Sequence, residues 1–344
     1  MSRRRRKNHV ERYPIERSPL ALNPTQRQLA ALVGMKRDAL RGLATHRDSW
    51  IVRRDEIING KARKLAYPRG RLRRVHEILK YHCQKIEQPD YLFSPRKGRS
   101  QRDNAARHSS QVQYLTLDIK QFYPSTTGHH IRNWLQDDLG MREDTAGLLV
   151  KLVTVDGIAS FGSPLTPVLA TLIHRRMFDD IAALCRHRGL KVSLWVDDLT
   201  ISGLFVPGAL LANIREIIRA NGLKSHKLAY RHGNRPVLIT GIGIVGSHLV
   251  APRSLHERIH QLYLELAACE TFDEFDDVTN KLLSACGTLR YIVGPKSPAG
   301  QRASNRMNTL RQRRQKKRRK EEAQIVLLPE NSETITHDAD LPWD

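Results

Sequence analysis

The chain has 344 residues, with 58 lysines and arginines against 35 aspartates and glutamates, a formal net charge of +23 at pH 7. This length can bury a large core and form one extended catalytic unit or two domains. The charge favours a polyanionic partner, and the alternative is a basic membrane-surface protein. The sequence has no lipidation signal, amphipathic helix with a broad apolar face or membrane-spanning run, so no membrane partner is expected.

The start of the chain is basic but carries no apolar signal-peptide core, which predicts a cytoplasmic protein. The four cysteines are scattered without a C-x-x-C pair, which favours reduced thiols over a zinc site.

The predicted elements begin after a basic, proline-interrupted arm. Helical periodicity starts near residue 23, and Asn59-Gly60 favours a hairpin followed by a helix. Residues 112–119 are typical of a strand, and two helices follow it. Residues 163–189 predict one long helix that begins at prolines and ends at Gly189.

The stretch SLWVDDLTISG, residues 193–203, predicts two strands separated by Asp197-Asp198, where a hairpin would usually carry Asn-Gly or Asp-Gly. A helix, further strands over residues 225–245 and two or three helices complete the fold near Gly300. Residues 311–320 are a basic block, and an acidic tail follows it. Both are predicted to be disordered or conditionally ordered.

Three carboxylates fall at strand ends, because Asp118 closes the apolar run VQYLTLDI and Asp197-Asp198 separate two other strands. An Asp pair alone is more typical of a solvated turn than of a metal site. If the strands are neighbours in one sheet, however, the three carboxylates converge. Buried carboxylates are costly without cations and are hard-oxygen ligands, so the cluster predicts two Mg²⁺ ions that clamp an in-line phosphoryl displacement.

A small-residue motif, Gly162-Ser163-Pro164, stands between these elements. Small residues at a helix start let a base pair or a nucleotide approach the backbone closely. Taken alone, the motif is equally typical of an ordinary helix that begins at proline.

In this order, LDIKQFYPS, GSPLTPVLA and WVDD resemble the first three palm motifs of the reverse transcriptases. The closer resemblance is to bacterial retron reverse transcriptases. NAARH resembles their N-A-x-x-H element, ITG their V-T-G triplet, RKLAYP a fingers pattern and LRYIVGPKSP a thumb segment. The resemblance covers residues 51–298. The sequence departs from the family at Trp195, where Tyr is usual, at Phe161, where a polar residue is usual, and at Leu228, where Thr follows the lysine.

The resemblance implies roles in metal binding and catalysis. Asp118 and Asp197 are the expected metal ligands, with the Ile119 carbonyl as a further contact and Asp198 as a third, supporting carboxylate. Mn²⁺ is an expected substitute for Mg²⁺.

The resemblance also implies a nucleotide-binding set: Arg63, Tyr123, Phe161, Gly162 and Lys227, with Trp195 as a primer contact. Tyr123 would be a steric gate that excludes a 2′-hydroxyl, and a core aromatic is the alternative. Arg63 would grip the triphosphate in a bidentate way, or it is a solvated or RNA-backbone arginine. Lys227 would protonate or neutralise the leaving pyrophosphate, or it is an ordinary strand lysine.

RNA recognition is implied for the two retron-like elements, at Asn104, His108, Ile239, Thr240 and Gly241. A satisfied structural histidine is the alternative for His108. The basic block is expected to bind duplex phosphates through Arg313, Arg314, Lys317 and Arg318.

The fold implied is α/β: a right-hand polymerase with fingers, a palm whose antiparallel sheet carries the aspartates, and a small helical thumb. The expected organisation is a basic flexible arm (1–22), N-terminal helices and fingers (23–111), palm (112–250, with part of the fingers at about 128–160), helical thumb (251–300), basic RNA-binding segment (301–320) and acidic disordered tail (321–344).

The function implied is RNA-directed DNA polymerisation, a nucleotidyl transfer from dNTPs. A dedicated structured noncoding RNA would be copied into branched multicopy single-stranded DNA from an internal guanosine 2′-hydroxyl. The RNA and the RNA–DNA product are thus expected partners, together with a separate effector protein in anti-phage defence. The alternatives are a reverse transcriptase of another bacterial system, group II intron-like or of another defence type, and a non-catalytic RNA-binding protein on a polymerase scaffold.

Overall fold

A computed structural model describes residues 11–58 and 60–326, and the chain divides into two compact units between His248 and Leu249. The helices of the first unit are α1 (Gln26–Leu32), α2 (Arg37–Thr45), α3 (Gly70–Lys85), α4 (Gln101–Arg107), α5 (Phe122–Ser125), α6 (Gly128–Asn133), α7 (Glu143–Val153), α8 (Thr166–Ile173), α9 (Arg175–Arg186) and α10 (Gly208–Ala220). Short 3-10 segments at Ile15–Arg17 and Arg47–Trp50 and a π-helical turn at Trp134–Asp138 accompany them.

The strands are β1 (Ile51–Ile58), β2 (Lys61–Pro68), β3 (Leu92–Ser94), β4 (Gln113–Ile119), β5 (Lys191–Trp195), β6 (Asp198–Gly203), β7 (Ser225–His232), β8 (Val237–Ile239), β9 (Ile242–Val245) and β10 (His248–Val250). β1 and β2 form an antiparallel hairpin, and β8 pairs with β9 in a smaller sheet.

The central sheet has the strand order β3-β5-β6-β4-β7. β4 is antiparallel to both β6 and β7, and β5 and β6 form a hairpin. The mixed α/β class is therefore confirmed. The sheet is not antiparallel throughout, however, because the short edge strand β3 runs parallel to β5. Apolar residues on one sheet face pack against α9 and α10, and a second apolar core gathers α1, α2, α3, α7 and α8.

The residues assigned to a flexible arm differ from that prediction where the structure describes them. The Tyr13 N–H donates to the Lys85 carbonyl at 3.0 Å, and the Leu20 side chain is buried, 1% exposed. The apolar side chains between the basic residues explain this, because they are buried against the helical core. Residues 1–10 of the arm and 327–344 of the acidic tail lie outside the described residues.

The second unit is helical, with α11 (Arg253–Ala268), α12 (Phe272–Val293) and α13 (Pro298–Val326), and α12 packs against both of its neighbours. The basic segment predicted to be disordered or conditionally ordered is therefore part of one long helix. It packs because Ala303 and Leu310 are buried and Arg314 forms an ion pair with Asp276 on α12. Within residues 11–58 and 60–326, no helix is both long and apolar enough to cross a bilayer.

Candidate active site

The three predicted carboxylates lie together at one end of the central sheet. Asp118, near the end of β4, is the direct cross-strand partner of Asp198, the first residue of β6. One ligand oxygen from each of Asp118, Asp197 and Asp198 lies within 4.8 Å of the others. The predicted convergence of these side chains is confirmed.

The turn that carries the acidic pair is shifted by one residue from its predicted position. Trp195 pairs with Asp198, so the two turn residues are Val196 and Asp197 rather than the two aspartates. Val196 has φ 61°, a left-handed conformation that is costly for a β-branched side chain. The tertiary structure holds it there, because the Ile119 N–H donates to the Asp197 carbonyl at 3.0 Å.

The electrostatics of the cluster fit a bound cation. Oδ1 of Asp118 is buried without a hydrogen-bond partner, whereas Oδ2 accepts from the Lys227 ammonium and lies 3.7 Å from Nε2 of His226. Burial, and then the charges of Asp118 and Asp198, raise the pKa of Asp197 to about 7. Burial and the Asp118 charge also raise the pKa of Asp198. Three carboxylates with one unpaired buried oxygen are a ligand set suited to divalent cations.

Two of the carboxylates, Asp118 and Asp197, line a cleft together with predicted nucleotide-binding side chains, and Asp198 lies beside it. Its lining residues are Ala62, Arg63, Asp118, Ile119, Lys120, Gln121, Phe122, Tyr123, Phe161, Asp197, His226 and Lys227. The rings of Tyr123 and Phe161 meet edge to face, with centroids 5.2 Å apart, and the Arg63 guanidinium lies 5.2 Å from the Phe161 centroid. Burial raises the pKa of the Tyr123 hydroxyl, so it is protonated at neutral pH.

Backbone contacts bring the β1–β2 hairpin to this cleft. The Ala66 N–H donates to the Phe161 carbonyl at 3.0 Å, and the Ser160 hydroxyl donates to the Ala66 carbonyl at 2.6 Å. Gly162 has φ 96°, and a Cβ there would lie 3.0 Å from Cβ of Tyr67. A side chain at position 162 would therefore separate the hairpin from the Phe161 loop.

Two of the predicted nucleotide or primer residues do not line the cleft. Gly162 lies beside it, and Trp195 is half-buried on β5 next to β3. Five lining residues were missed from the sequence. Lys120, Gln121 and Phe122 lie inside the LDIKQFYPS motif, whereas Ala62 and His226 directly precede the predicted Arg63 and Lys227. His226 lies directly opposite Asp118, but the pairing of β4 with β7 is irregular there and Lys227 has φ 51°, so strand alternation does not indicate His226.

The predicted RNA-binding elements are largely buried, which contradicts direct RNA contact by three of their side chains. His108, Asn104 and Ile239 are 0%, 1% and 2% exposed. The Asn104 amide donates to the Thr240 hydroxyl at 3.4 Å, so the two elements contact each other. Thr240 is half-buried and Gly241 is exposed. The alternative of a structural histidine therefore describes His108.

Some side chains of the basic block form hydrogen bonds or ion pairs within the described part of the chain, and others are exposed. Arg314 donates to both carboxylate oxygens of Asp276, and Lys317 donates to the Thr271 carbonyl at 3.4 Å. These contacts differ from the predicted phosphate-binding role of the two residues. Arg318 pairs with Glu322 one turn away, and Arg313 is exposed.

The order of the elements, a strand with one carboxylate, a Gly-Ser-Pro helix start and a carboxylate hairpin, is that of the reverse transcriptase class that the motifs resemble. Comparison with curated proteins finds similarity to retron reverse transcriptases within this class. The chain is 27% identical over 175 residues to the Retron Se72 reverse transcriptase of Salmonella heidelberg, covering 48% of this chain and 46% of that protein. It is 28% identical over 203 residues to the Retron Mx65 reverse transcriptase of Myxococcus xanthus, covering 52% and 47%.

A third relative is the Retron Ec86 reverse transcriptase of Escherichia coli, 24% identical over 233 residues, which cover 65% of this chain and 69% of that protein. The resemblance to retron reverse transcriptases is thereby confirmed. The chain spans about half the length of the first two relatives. No protein-family model matches the chain.

Proposed function

We propose that this protein is the RNA-directed DNA polymerase of a retron. The observation that carries the proposal is the cluster of Asp118, Asp197 and Asp198, two of which, Asp118 and Asp197, line a cleft. Arg63 and Tyr123 line the same cleft. The similarity to three retron reverse transcriptases supports the same assignment. Clustering three carboxylates, one of them buried, is electrostatically unfavourable. A non-catalytic RNA-binding protein would gain no function from the cluster that offsets this cost.

Asp118 and Asp197, with Asp198 and the Ile119 carbonyl, would hold two Mg²⁺ ions, for which Mn²⁺ can substitute. The ions would supply a Lewis-acidic clamp for an in-line displacement. In this reaction a primer hydroxyl attacks the α-phosphate of a dNTP, and pyrophosphate leaves. Arg63 would donate to triphosphate oxygens, and the Tyr123 ring would pack beneath the sugar. Lys227 would leave Asp118 and neutralise or protonate the pyrophosphate.

The retron assignment has further consequences that we include in the proposal. The template is a cognate structured noncoding RNA, an internal guanosine 2′-hydroxyl is the primer, and the product is a branched RNA–DNA molecule. A separate effector protein acts with it in anti-phage defence in the cytoplasm. Residues 23–111 would supply the N-terminal helices and fingers of a right-hand polymerase, residues 112–250 the palm, and residues 251–300 the helical thumb.

Primer extension tests the polymerase assignment. Purified protein with a primed RNA template, dNTPs and Mg²⁺ should extend the primer. Asp118→Asn should lower the rate by at least about 10³-fold, because a metal-binding carboxylate is lost. Asp38→Asn is the matched control, since Asp38 is exposed and, within the described part of the chain, its ion pair is with the neighbouring Arg37. Equal extension by Asp118→Asn and by the wild type would refute the assignment of the site.

Sequencing of the nucleic acid that co-purifies with the protein tests the retron assignment separately. A 2′–5′-branched RNA–DNA species is expected from wild-type protein and not from Asp118→Asn. Polymerase activity without any branched product would favour a reverse transcriptase of another bacterial system.

A further inference from the structure

A basic groove, distinct from the active-site cleft, lies on the first unit where α10 ends and β7 begins. Its lining residues are Arg215, Arg219, Gly222, Leu223, Lys224 and Ser225. None of the roles described above uses these side chains. We call this feature the α10 groove.

The residues that line the α10 groove and those that line the active-site cleft are adjacent in sequence. Residues 224 and 225 line the groove, and the next two residues, His226 and Lys227, line the cleft. The Lys120 N–H, at the cleft, donates to the Lys224 carbonyl at 2.7 Å. The groove therefore flanks the side of the cleft that presents Lys120 and Lys227.

The charge of the α10 groove is not neutralised within the described part of the chain. Arg219 pairs with Glu216, whereas neither Arg215 nor Lys224 has an acidic partner within 4.0 Å there. Arg219 lies in the last turn of α10, where a cation stabilises the carboxyl end of the helix. This structural role accounts for a basic residue at position 219. It does not explain Arg215, one turn earlier, or Lys224, beyond the helix end. Arg215 and Lys224 are thus two cationic side chains of one groove without a neighbouring acidic group, and such a groove attracts an anion.

We propose that the α10 groove binds the polyphosphate chain of a nucleoside triphosphate on its way into the cleft, and pyrophosphate on its way out. This proposal rests on the proposed polymerase function of the cleft. The groove borders Lys227, which lies at the pyrophosphate side of the proposed reaction. None of its six lining residues is aromatic, so it offers phosphate contacts but no surface on which bases of a single strand could stack.

Removal of two charges tests the proposal. We expect Arg215→Gln/Lys224→Gln to lower kcat/KM for dNTPs about fivefold at 25 mM salt, because attraction between exposed charges accelerates association. The difference should disappear near 500 mM salt, where the screening length is a few ångströms. The control is Lys36→Gln/Arg41→Gln, which removes the same charge from two exposed residues outside both the groove and the cleft. Lys36 directly precedes α2, and Arg41 lies within it.

Equilibrium binding separates this proposal from the polymerase proposal. The anisotropy of a fluorescent dATP analogue reports binding without turnover, and the groove variant should bind it about fivefold more weakly than the control at 25 mM salt. If the wild type fails to extend primers but this difference in binding remains, the groove assignment stands and the polymerase assignment falls. Equal dATP binding by the groove variant and the control would overturn the groove assignment. Weaker binding of a primed template with unchanged dATP binding would also overturn it, by showing that the groove holds nucleic acid.

Discussion

Nε2 of His108 lies 2.7 Å from the Ser193 hydroxyl, and its Nδ1 lies 2.6 Å from the Ser202 hydroxyl. Ser193 belongs to β5 and Ser202 to β6, the two strands joined by the Val196-Asp197 turn. His108 follows α4, whose start is fixed by a capping box between Ser100 and Asp103. The histidine therefore ties both strands of the carboxylate hairpin to α4.

His108→Ala should destabilise the protein by about 2–4 kcal/mol, because two buried serine hydroxyls lose their partner. Urea unfolding measures this loss. The affinity of the folded variant for RNA should stay within about twofold of the wild type, since the ring is fully buried. His187→Ala is the control, because His187 is exposed, and it should change stability by less than about 0.5 kcal/mol. Unchanged stability together with weakened RNA binding would restore the RNA-contact role for His108.

Tyr123→Ala should admit ribonucleotides. The Tyr123 ring is held against Phe161, and the cleft beneath an incoming sugar opens when it is removed. We expect the ratio of kcat/KM for dNTP over rNTP to fall at least tenfold, about 1.4 kcal/mol of discrimination. Tyr123→Phe keeps the ring and should keep the ratio, which separates a steric gate from a role of the hydroxyl. A ratio unchanged in Tyr123→Ala would make Tyr123 a core aromatic.

Local sequence predicted the central part of the site because each carboxylate follows an apolar strand run. It did not predict the register of the turn. Val196 is a poor residue for a left-handed position, and contacts with distant strands hold it there. The Val196 N–H donates to the Ser94 carbonyl of β3 at 3.0 Å, and the neighbouring Asp197 carbonyl accepts from the Ile119 N–H of β4. Likewise, residues 163–189 form two helices, because the helix breaks at His174, whose Nε2 lies 3.1 Å from the Thr126 hydroxyl.

The retron-like elements show that a motif can be recognised from the sequence although its role cannot. The motif at Asn104–His108 could be recognised from the sequence, but its chemistry depends on partners 85 and 94 residues away from His108. In the basic block, the eight lysines and arginines of residues 311–320 cannot be distinguished by local sequence. Helical geometry divides them, because only residues on the face towards α12, such as Arg314, reach Asp276.

Arg314→Gln should destabilise the α11–α13 unit by about 1–3 kcal/mol. It removes a bidentate, charge-assisted pair and leaves Asp276 partly buried without its cation. Arg318→Gln is the matched control: its pair with Glu322 is exposed and one turn away on the same helix, so its loss should cost less than about 0.5 kcal/mol. Thermal unfolding of the full chain measures both. Equal effects of the two substitutions would exclude a docking role for Arg314.

The stabilisation by Mg²⁺ should depend on pH through Asp197. The folded-state pKa of this carboxyl, about 7, is above its ordinary value of 3.8. The folded protein therefore binds this proton more tightly than the unfolded chain, so without metal this group's contribution to stability is full below pH 3.8 and is lost as the pH rises through about 7. Mg²⁺ binds the ionised form, so it competes with this proton.

At pH 8, Mg²⁺ at about 100 times its Kd should raise the free energy of unfolding by about 2.7 kcal/mol. At pH 5 the proton weakens binding about 100-fold, and the same concentration should add only about 0.4 kcal/mol. Urea unfolding in EDTA and in Mg²⁺ at each pH measures the difference. Asp197→Asn should remove the pH dependence, whereas Asp38→Asn should keep it. An equal gain from Mg²⁺ at both pH values would mean that the ion does not bind at the Asp197 carboxylate.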